Sequence, residues 1–550
     1  MYREIFRFDD SGDMSRQTEH WIEQLWLLGL LLAAILLYQI GLGDVPLRDW
    51  DEGIVATVAR EIHRDNFNWL YPTLNSDPYV NKPPLMHLLI AVTYQLFGVS
   101  EWTTRFPGAM LCGCSVPLLY GIAREVFPWR GPAILGSLCY LTLLPVVRHG
   151  RLAMLDGAVL CFFLLMVWCL LRSRRDLRWG LGVGIGLGLI CLTKGILAIL
   201  LGAIAAIFLF WDTPRLLRSW YLWIGTILGL APAVAWYMLQ WLHYGSIFIQ
   251  SHFLGQSLDR ILQTVEHNRG PIWYYLLEIL KYSAPWVMFW PEGLRLAWKN
   301  REMSWAKLVL VWTGVYLLAI SVMSTKLPWY VLPVYPAIAL TCGVQLFQVW
   351  QGLLGSTWSL GASVSGERSL ARSRRTYVIL LYVLAIAAWV GSIYYGFWAP
   401  AAERILTTNQ IAVGLTMTAS SILLVRGDRQ FVIILFWGMY VSLSLLFSSP
   451  YWVWELGEDY PVKPVAEMIR EMTPSQTVVF TSHPNHRPSL NFYSDRQVMP
   501  ATIEQLQKHW KQDASAYFLV DPDSLKLLEL ENIQQLDSVN KWQLITRADP

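Results

Sequence analysis

The sequence predicts a mainly α-helical transmembrane bundle that ends in a small α/β domain. Three observations lead there. Only 15% of the 550 residues are charged and 54% are hydrophobic, with a mean hydropathy of +0.37, whereas about a quarter of a soluble chain is charged. Apolar runs of about 15 to 24 residues recur from Leu25 to Phe447, each long enough to cross a hydrocarbon core as a helix. From Glu455 onward the chain turns polar, with short alternating stretches.

In chain order, spans are expected over residues 25–42, 104–124, 131–147, 153–171, 179–193, 195–211 and 220–242, then 273–291, 306–323, 329–350, 377–398, 409–425 and 430–447. About thirteen spans place the two termini on opposite sides of the membrane. Cytoplasmic loops concentrate Lys and Arg. With the N-terminus inside, the inner loops carry Arg172, Arg174, Arg175 and Arg178, then Arg295, Lys299 and Arg301, then Arg368, Arg372, Arg374 and Arg375, and lastly Arg426 and Arg429. The stretch Leu85–Phe97 is too short to span and is expected to be re-entrant or interfacial. Met1–Gln24 is acidic and lacks the basic start of a cleaved signal.

Two domains are expected, 1–454 in the membrane and 455–550 outside it, with a long first outer loop at about 44–103. In the second, Val465–Met472 and Thr502–Trp510 read as helices, and Thr477–Thr481, Ala516–Val520 and Trp542–Thr546 as strands. The glycines at 180, 182, 184, 186 and 188 lie within an apolar run and predict close helix packing rather than a dinucleotide loop. All seven cysteines fall in apolar runs, which argues against a disulfide framework. A net charge of +3, dispersed along the chain, argues against a nucleic-acid partner, and the 29 Trp and 25 Tyr fit interfacial belts.

Ionisable residues near membrane depth are costly and mark function. The outer side is expected to receive Asp51, Glu52, Lys82, Asp156, Lys194, His252, His267 and Lys326. Asp51 and Glu52 are candidate catalytic carboxylates, although Asp49 or Asp51 also suits a helix N-cap. Asn81-Lys82-Pro83-Pro84 holds an extended turn that presents Lys82 to an anion, or Lys82 snorkels to the interface. Asp156 follows Arg148-His149-Gly150-Arg151-Leu152, and Lys194 sits in a Thr193-Lys194-Gly195 turn. Carboxylates with several cations describe a site that activates a hydroxyl and holds a phosphate. The 251–269 loop adds Asp259, Arg260, Glu266 and His267. His252 there is open to a divalent metal or to a hydrogen bond with a phosphate or hydroxyl.

In order, Asp51-Glu52 with Ala59-Arg60-Glu61, Asn81-Lys82-Pro83-Pro84 with Leu96-Phe97-Gly98, Arg151-Leu152 to Asp156, Thr193-Lys194-Gly195, His252 with Arg260, His267 to Tyr275, and Lys326-Leu327-Pro328-Trp329-Tyr330 to Pro333 form a set. The set resembles the membrane glycosyltransferases of the C-type fold, in the branch of bacterial aminoarabinose transferases and dolichyl-phosphate-mannose protein mannosyltransferases. The likeness covers roughly the first 350 residues. It implies an outer-face site, a polyprenyl-phosphate sugar donor and Asp51 as base; Asp156 is expected to position either the acceptor or Asp51 itself. Lys82, Lys194, Arg260, Lys326, Tyr79 and Tyr330 are the expected phosphate-binding residues. The implied acceptor is a lipid, protein or glycan. Asn81 stands where the aminoarabinose transferases carry a Glu that shares a metal with the histidine matching His252, and Ile54-Val55 stands where they carry Arg-Tyr. The resemblance therefore specifies neither the metal nor the sugar. A polymerase or ligase of the same broad fold is the nearest alternative. A flippase of lipid-linked sugars predicts repeat symmetry that the sequence lacks.

Overall fold

The computed structural model describes residues 16–264, 268–353, 366–454, 460–475, 477–513 and 516–548. Glu266, His267 and the composition break at Glu455 lie outside the described residues. The chain forms two compact units: residues 1–42, 80–86 and 108–452, and residues 43–79, 87–107 and 453–550.

Among the described residues, nine helices are long and apolar enough to cross a membrane, ten if one bent pair is a single span. The chain is a polytopic membrane protein. The nine match nine of the expected spans, and the other four take different forms for local reasons. Residues 131–147 form the bent pair Arg130–Leu141 and Leu144–Arg151, at 53°. Pro145 lacks the N–H that would continue the helix, so the chain turns at Leu143. The stretch 273–291 is broken into Tyr274–Tyr282, a turn at Trp286–Phe289 and Trp290–Lys299, with Pro285 and Pro291 at the breaks. Asp156–Arg172 and Leu197–Asp212 are single helices of 17 and 16 residues. Leu85–Phe97 is a helix of 13 residues.

The glycine run lies on the helix Gly180–Lys194, which packs on Trp220–Tyr244. A Cβ on Gly184 would run into the carbonyl of Gly225, and one on Gly188 into that of Gly229. Backbones this close leave no room for a side chain, as in small-residue packing between membrane helices. Gly188→Val is expected to force the pair apart and cost about 1–3 kcal/mol or more. Gly314→Val, which meets open space, is expected to be neutral. Thermal unfolding in detergent compares the two.

In the second unit, the hairpin β1 (Thr73–Leu74) and β2 (Asp77–Pro78) belongs to the first loop. The C-terminal segment supplies β3 (Val478–Thr481), β4 (Gln497–Pro500), β5 (Tyr517–Val520), β6 (Ile533–Val539) and β7 (Trp542–Arg547), in the order β4-β3-β5-β7-β6. The pairs β3/β4 and β3/β5 are parallel, while β5/β7 and β6/β7 are antiparallel. Alternation along the strands fills two cores. Val479, Leu519 and Leu544 pack with Val465 and Ile469 of the helix Val462–Met472. Phe518, Val520 and Ile545 pack with Leu506 and Trp510 of Ile503–Gln512. The sheet is thus covered on both faces. The expected α/β segment is present, and sequence patterning missed Pro488–Ser494, Pro522–Leu528, β4 and β6.

Candidate functional site

A cavity of about 510 Å³ lies in the first unit. Seven of the residues singled out in the sequence line it: Asn81, Lys82, Asp156, Lys194, His252, Arg260 and Tyr330. Asp156 opens the helix Asp156–Arg172 and Lys194 closes Gly180–Lys194, the ends at which the helix dipole favours an acid and a base respectively. The two meet at 2.7 Å, with the carboxylate almost buried. Lys194 also lies 5.6 Å from the centre of the Tyr330 ring, and the Arg260 guanidinium donates to the Tyr330 hydroxyl at 3.4 Å. Arg260 is placed by backbone pairing, because the amides of Ser324 and Thr325 bond the carbonyls of Ile261 and Arg260. Lys82 donates to Gln256 at 3.2 Å.

His252 is 4% exposed. Its Nδ1 lies 2.9 Å from the Val80 carbonyl, an oxygen that can only accept, so Nδ1 carries the proton and Nε2 accepts from the Tyr237 hydroxyl at 3.0 Å. Gly195, at φ +51°, makes this possible, because a Cβ there would lie 2.7 Å from the Tyr237 hydroxyl. Burial beside Phe248 and Trp236 pushes the imidazole down to about 4, aided by the charge of Lys82 and opposed by the Val80 hydrogen bond. A histidine held neutral by the fold loses stability as pH falls from its unfolded value near 6.5 toward 4. The melting temperature is therefore expected to decline over that window, and His252→Gln to flatten the decline.

The donor set does not fit a divalent ion. Both His252 nitrogens are in hydrogen bonds, residue 81 is a neutral amide, and no group of three His, Cys, Asp or Glu side chains converges among the described residues.

The remaining candidates lie elsewhere. Lys326 is in the first unit, where its ammonium caps the helix Ser304–Val322 by donating to the carbonyls of Ile320 and Ser321 at 3.1 and 2.6 Å, and burial lowers its pKa. Asp51, Glu52 and Tyr79 belong to the second unit. Tyr79 packs with Val58, Ile62 and Ala91. Glu52 is fully buried and takes two hydrogen bonds at 2.8 Å from Arg105, while accepting from the Arg48 amide. Asp51 is partly exposed, 3.6 Å from Arg48. The N-cap of the helix Asp51–Arg64 is Trp50 rather than Asp49 or Asp51, and its side chain makes no capping hydrogen bond. Sequence reasoning did not find Gln256 and Tyr316 in the cavity lining, since a glutamine and a tyrosine in apolar runs carry no local signal. Arg151, noted only as a neighbour of Asp156, bonds the last carbonyls of the first helix at Leu37 and Tyr38 and stacks on Phe447 and Trp452.

The fold defines a class: a polytopic membrane protein with a C-terminal α/β segment. The structure superposes on ArnT from Cupriavidus metallidurans bound to undecaprenyl phosphate with a TM-score of 0.77, covering 96% of this chain and 99% of that one at 19% identity. More particularly, the family described as Dolichyl-phosphate-mannose-protein mannosyltransferase matches residues 81–238. Among curated proteins, the chain is similar to an undecaprenyl phosphate-alpha-4-amino-4-deoxy-L-arabinose arabinosyl transferase of Pseudomonas fluorescens, at 29% identity over 58% of this chain and 59% of the relative. One from Aeromonas salmonicida is 30% identical over 57% and 58%. The matches thus span less than two thirds of these relatives. The chain resembles the aminoarabinose transferase and protein-mannosyltransferase branch that its motifs indicated.

Proposed function

We propose that this chain is an inverting glycosyltransferase that moves a sugar from a polyprenyl-phosphate carrier to an acceptor hydroxyl or phosphate on a lipid, protein or glycan, at the outer face of the cytoplasmic membrane. One observation carries the reading. The cavity combines Lys82, Lys194 and Arg260 with walls of Leu197, Leu200, Ala203, Ala319, Ile320 and Met323. An isoprenoid phosphate has the same two parts, an anionic head and an apolar tail. The named relatives support the reading, since undecaprenyl phosphate is part of their names and is bound in the Cupriavidus structure.

In the proposed reaction, Asp51 takes the proton of the acceptor oxygen as that oxygen attacks the anomeric carbon. The bond from that carbon to the phosphate oxygen breaks, and its electron pair leaves on the phosphate. The leaving group is already a stable anion, so no protonating acid is needed and cations supply the stabilisation. Lys82, Lys194 and Arg260 fill that role, with Asp156 holding Lys194 in place. The basic inner loops orient the N-terminus to the cytoplasm.

Incubating the purified protein with a panel of polyprenyl-phosphate sugars and candidate acceptors tests the proposal. One donor should be consumed and yield a product of inverted anomeric configuration. Movement of lipid-linked sugar across vesicles without consumption of any donor would overturn it.

A further inference from the structure

Within the second unit, residues 48–53 hold an unusual conformation. Trp50 sits at φ 61°, ψ −75°, and the Asp51 amide bonds the Asp49 carbonyl at 2.7 Å, forming a γ-turn of the rare, positive-φ kind. For a bulky residue such a turn is strained and persists only where its surroundings over-determine it. Here they do. The next amides close the helix start, Gly53 to Arg48 at 2.9 Å and Ile54 to Trp50 at 3.2 Å. The Asp49 carboxylate turns away from its own helix to the C-terminal segment. Arg487 Nε donates to it at 2.7 Å, the Ser489 amide at 3.2 Å, and the Ser489 hydroxyl bonds the same oxygen. Arg487 is itself fixed by the Tyr460 carbonyl at 3.0 Å and lies 4.1 Å over the Tyr460 ring. Gly53 brings the loop close, since a Cβ there would lie 2.6 Å from the Ser489 amide nitrogen.

We infer that Asp49, Arg487 and Ser489 are positioning residues for Asp51: the C-terminal segment clamps the γ-turn and so sets where the Asp51 carboxylate points. The inference rests on the reading of Asp51 as base. A clamp of buried, charge-assisted contacts holds the strained turn in one conformation, and a 1 Å misplacement of a reacting group costs about 10²-fold in rate. It gives the C-terminal segment a role in catalysis without a reacting group of its own.

The test compares Asp49→Asn and Arg487→Ala with wild type, each alone and combined with Asp51→Asn, in the full-length protein with the donor found by the panel. Each single variant should lower kcat about 10²-fold per folded molecule while the donor KM stays within about twofold. Neither should lower the residual rate further once Asp51 is Asn. Arg487→Lys should recover part of the loss. A merely structural clamp would lower the melting temperature and the folded fraction but leave kcat per folded molecule unchanged, and that result overturns the inference. If Arg487→Ala does not fold, Asp49→Asn, which keeps the side-chain shape, decides alone. Full activity of Asp51→Asn refutes the base itself. An inactive Asp51→Asn beside fully active Asp49→Asn and Arg487→Ala refutes only the clamp.

Discussion

Asp51→Asn is expected to lower the rate of sugar transfer by about 10²- to 10⁴-fold while leaving the protein folded. Asparagine has the shape of aspartate and still accepts a hydrogen bond, but it cannot take up a proton at neutral pH. The site tolerates the change because the Asp51 carboxylate is partly exposed, and its contact with Arg48, at 3.6 Å, is a looser pair than those in the core. Arg48 is itself buried, but a pair this long and open to water at the carboxylate contributes about 1 kcal/mol. The measurement is kcat beside the melting temperature in detergent: the first should collapse and the second should hold. Wild-type turnover in this variant would remove Asp51 from the mechanism.

The neighbouring acid should behave in the opposite way. Glu52→Gln removes the charge that balances Arg105, and both side chains are fully buried. Arg105 also donates to the carbonyls of Val45 and Pro46, so it joins the entry segment of the first loop to the helix Asp51–Arg64. Removing one partner leaves a buried charge uncompensated and costs about 3–5 kcal/mol, which is a large share of the stability of one unit. A reduced yield of folded protein and a lower melting temperature are expected, with any loss of transfer following the loss of fold. Retained stability with abolished transfer would instead give Glu52 a role in the chemistry. Two adjacent carboxylates are thus assigned opposite functions, which their shared position at a helix start did not distinguish.

Hydropathy is a local property, and for that reason the sequence alone determined the membrane bundle, the position of nine spans, the polar C-terminal α/β segment and the close packing of the glycine helix. Each follows from a run of neighbours: apolar length against the thickness of a hydrocarbon core, alternation against the pleat of a strand, and small residues where two backbones meet. The same locality explains the misses. Pro145, Pro285 and Pro291 sit inside runs whose mean hydropathy still reads as a span, although each removes a helical N–H. Pro488–Ser494 has only seven residues, too few to show a period.

Six cavity residues were legible as charges, a histidine or an amide standing in a loop or at the end of an apolar run, and Tyr330 through the resemblance of its Lys-Leu-Pro-Trp-Tyr motif. What each does was not legible. Lys194 and Lys326 look alike in sequence, one in a Thr-Lys-Gly turn and one in a Lys-Leu-Pro turn. Tertiary structure places the first on Asp156 in the cavity and the second on the carbonyls of its own helix end. It alone also joined residues 43–79 and 87–107 to the C-terminal segment in one compact unit, through pairs such as Asp49 with Arg487 and Arg64 with Asp495. Their partners lie more than four hundred residues apart. An ion pair depends on distance in space and leaves no periodic trace in the chain. The sequence therefore settled what kind of solvent each segment meets, and only the folded structure decided which charges meet each other.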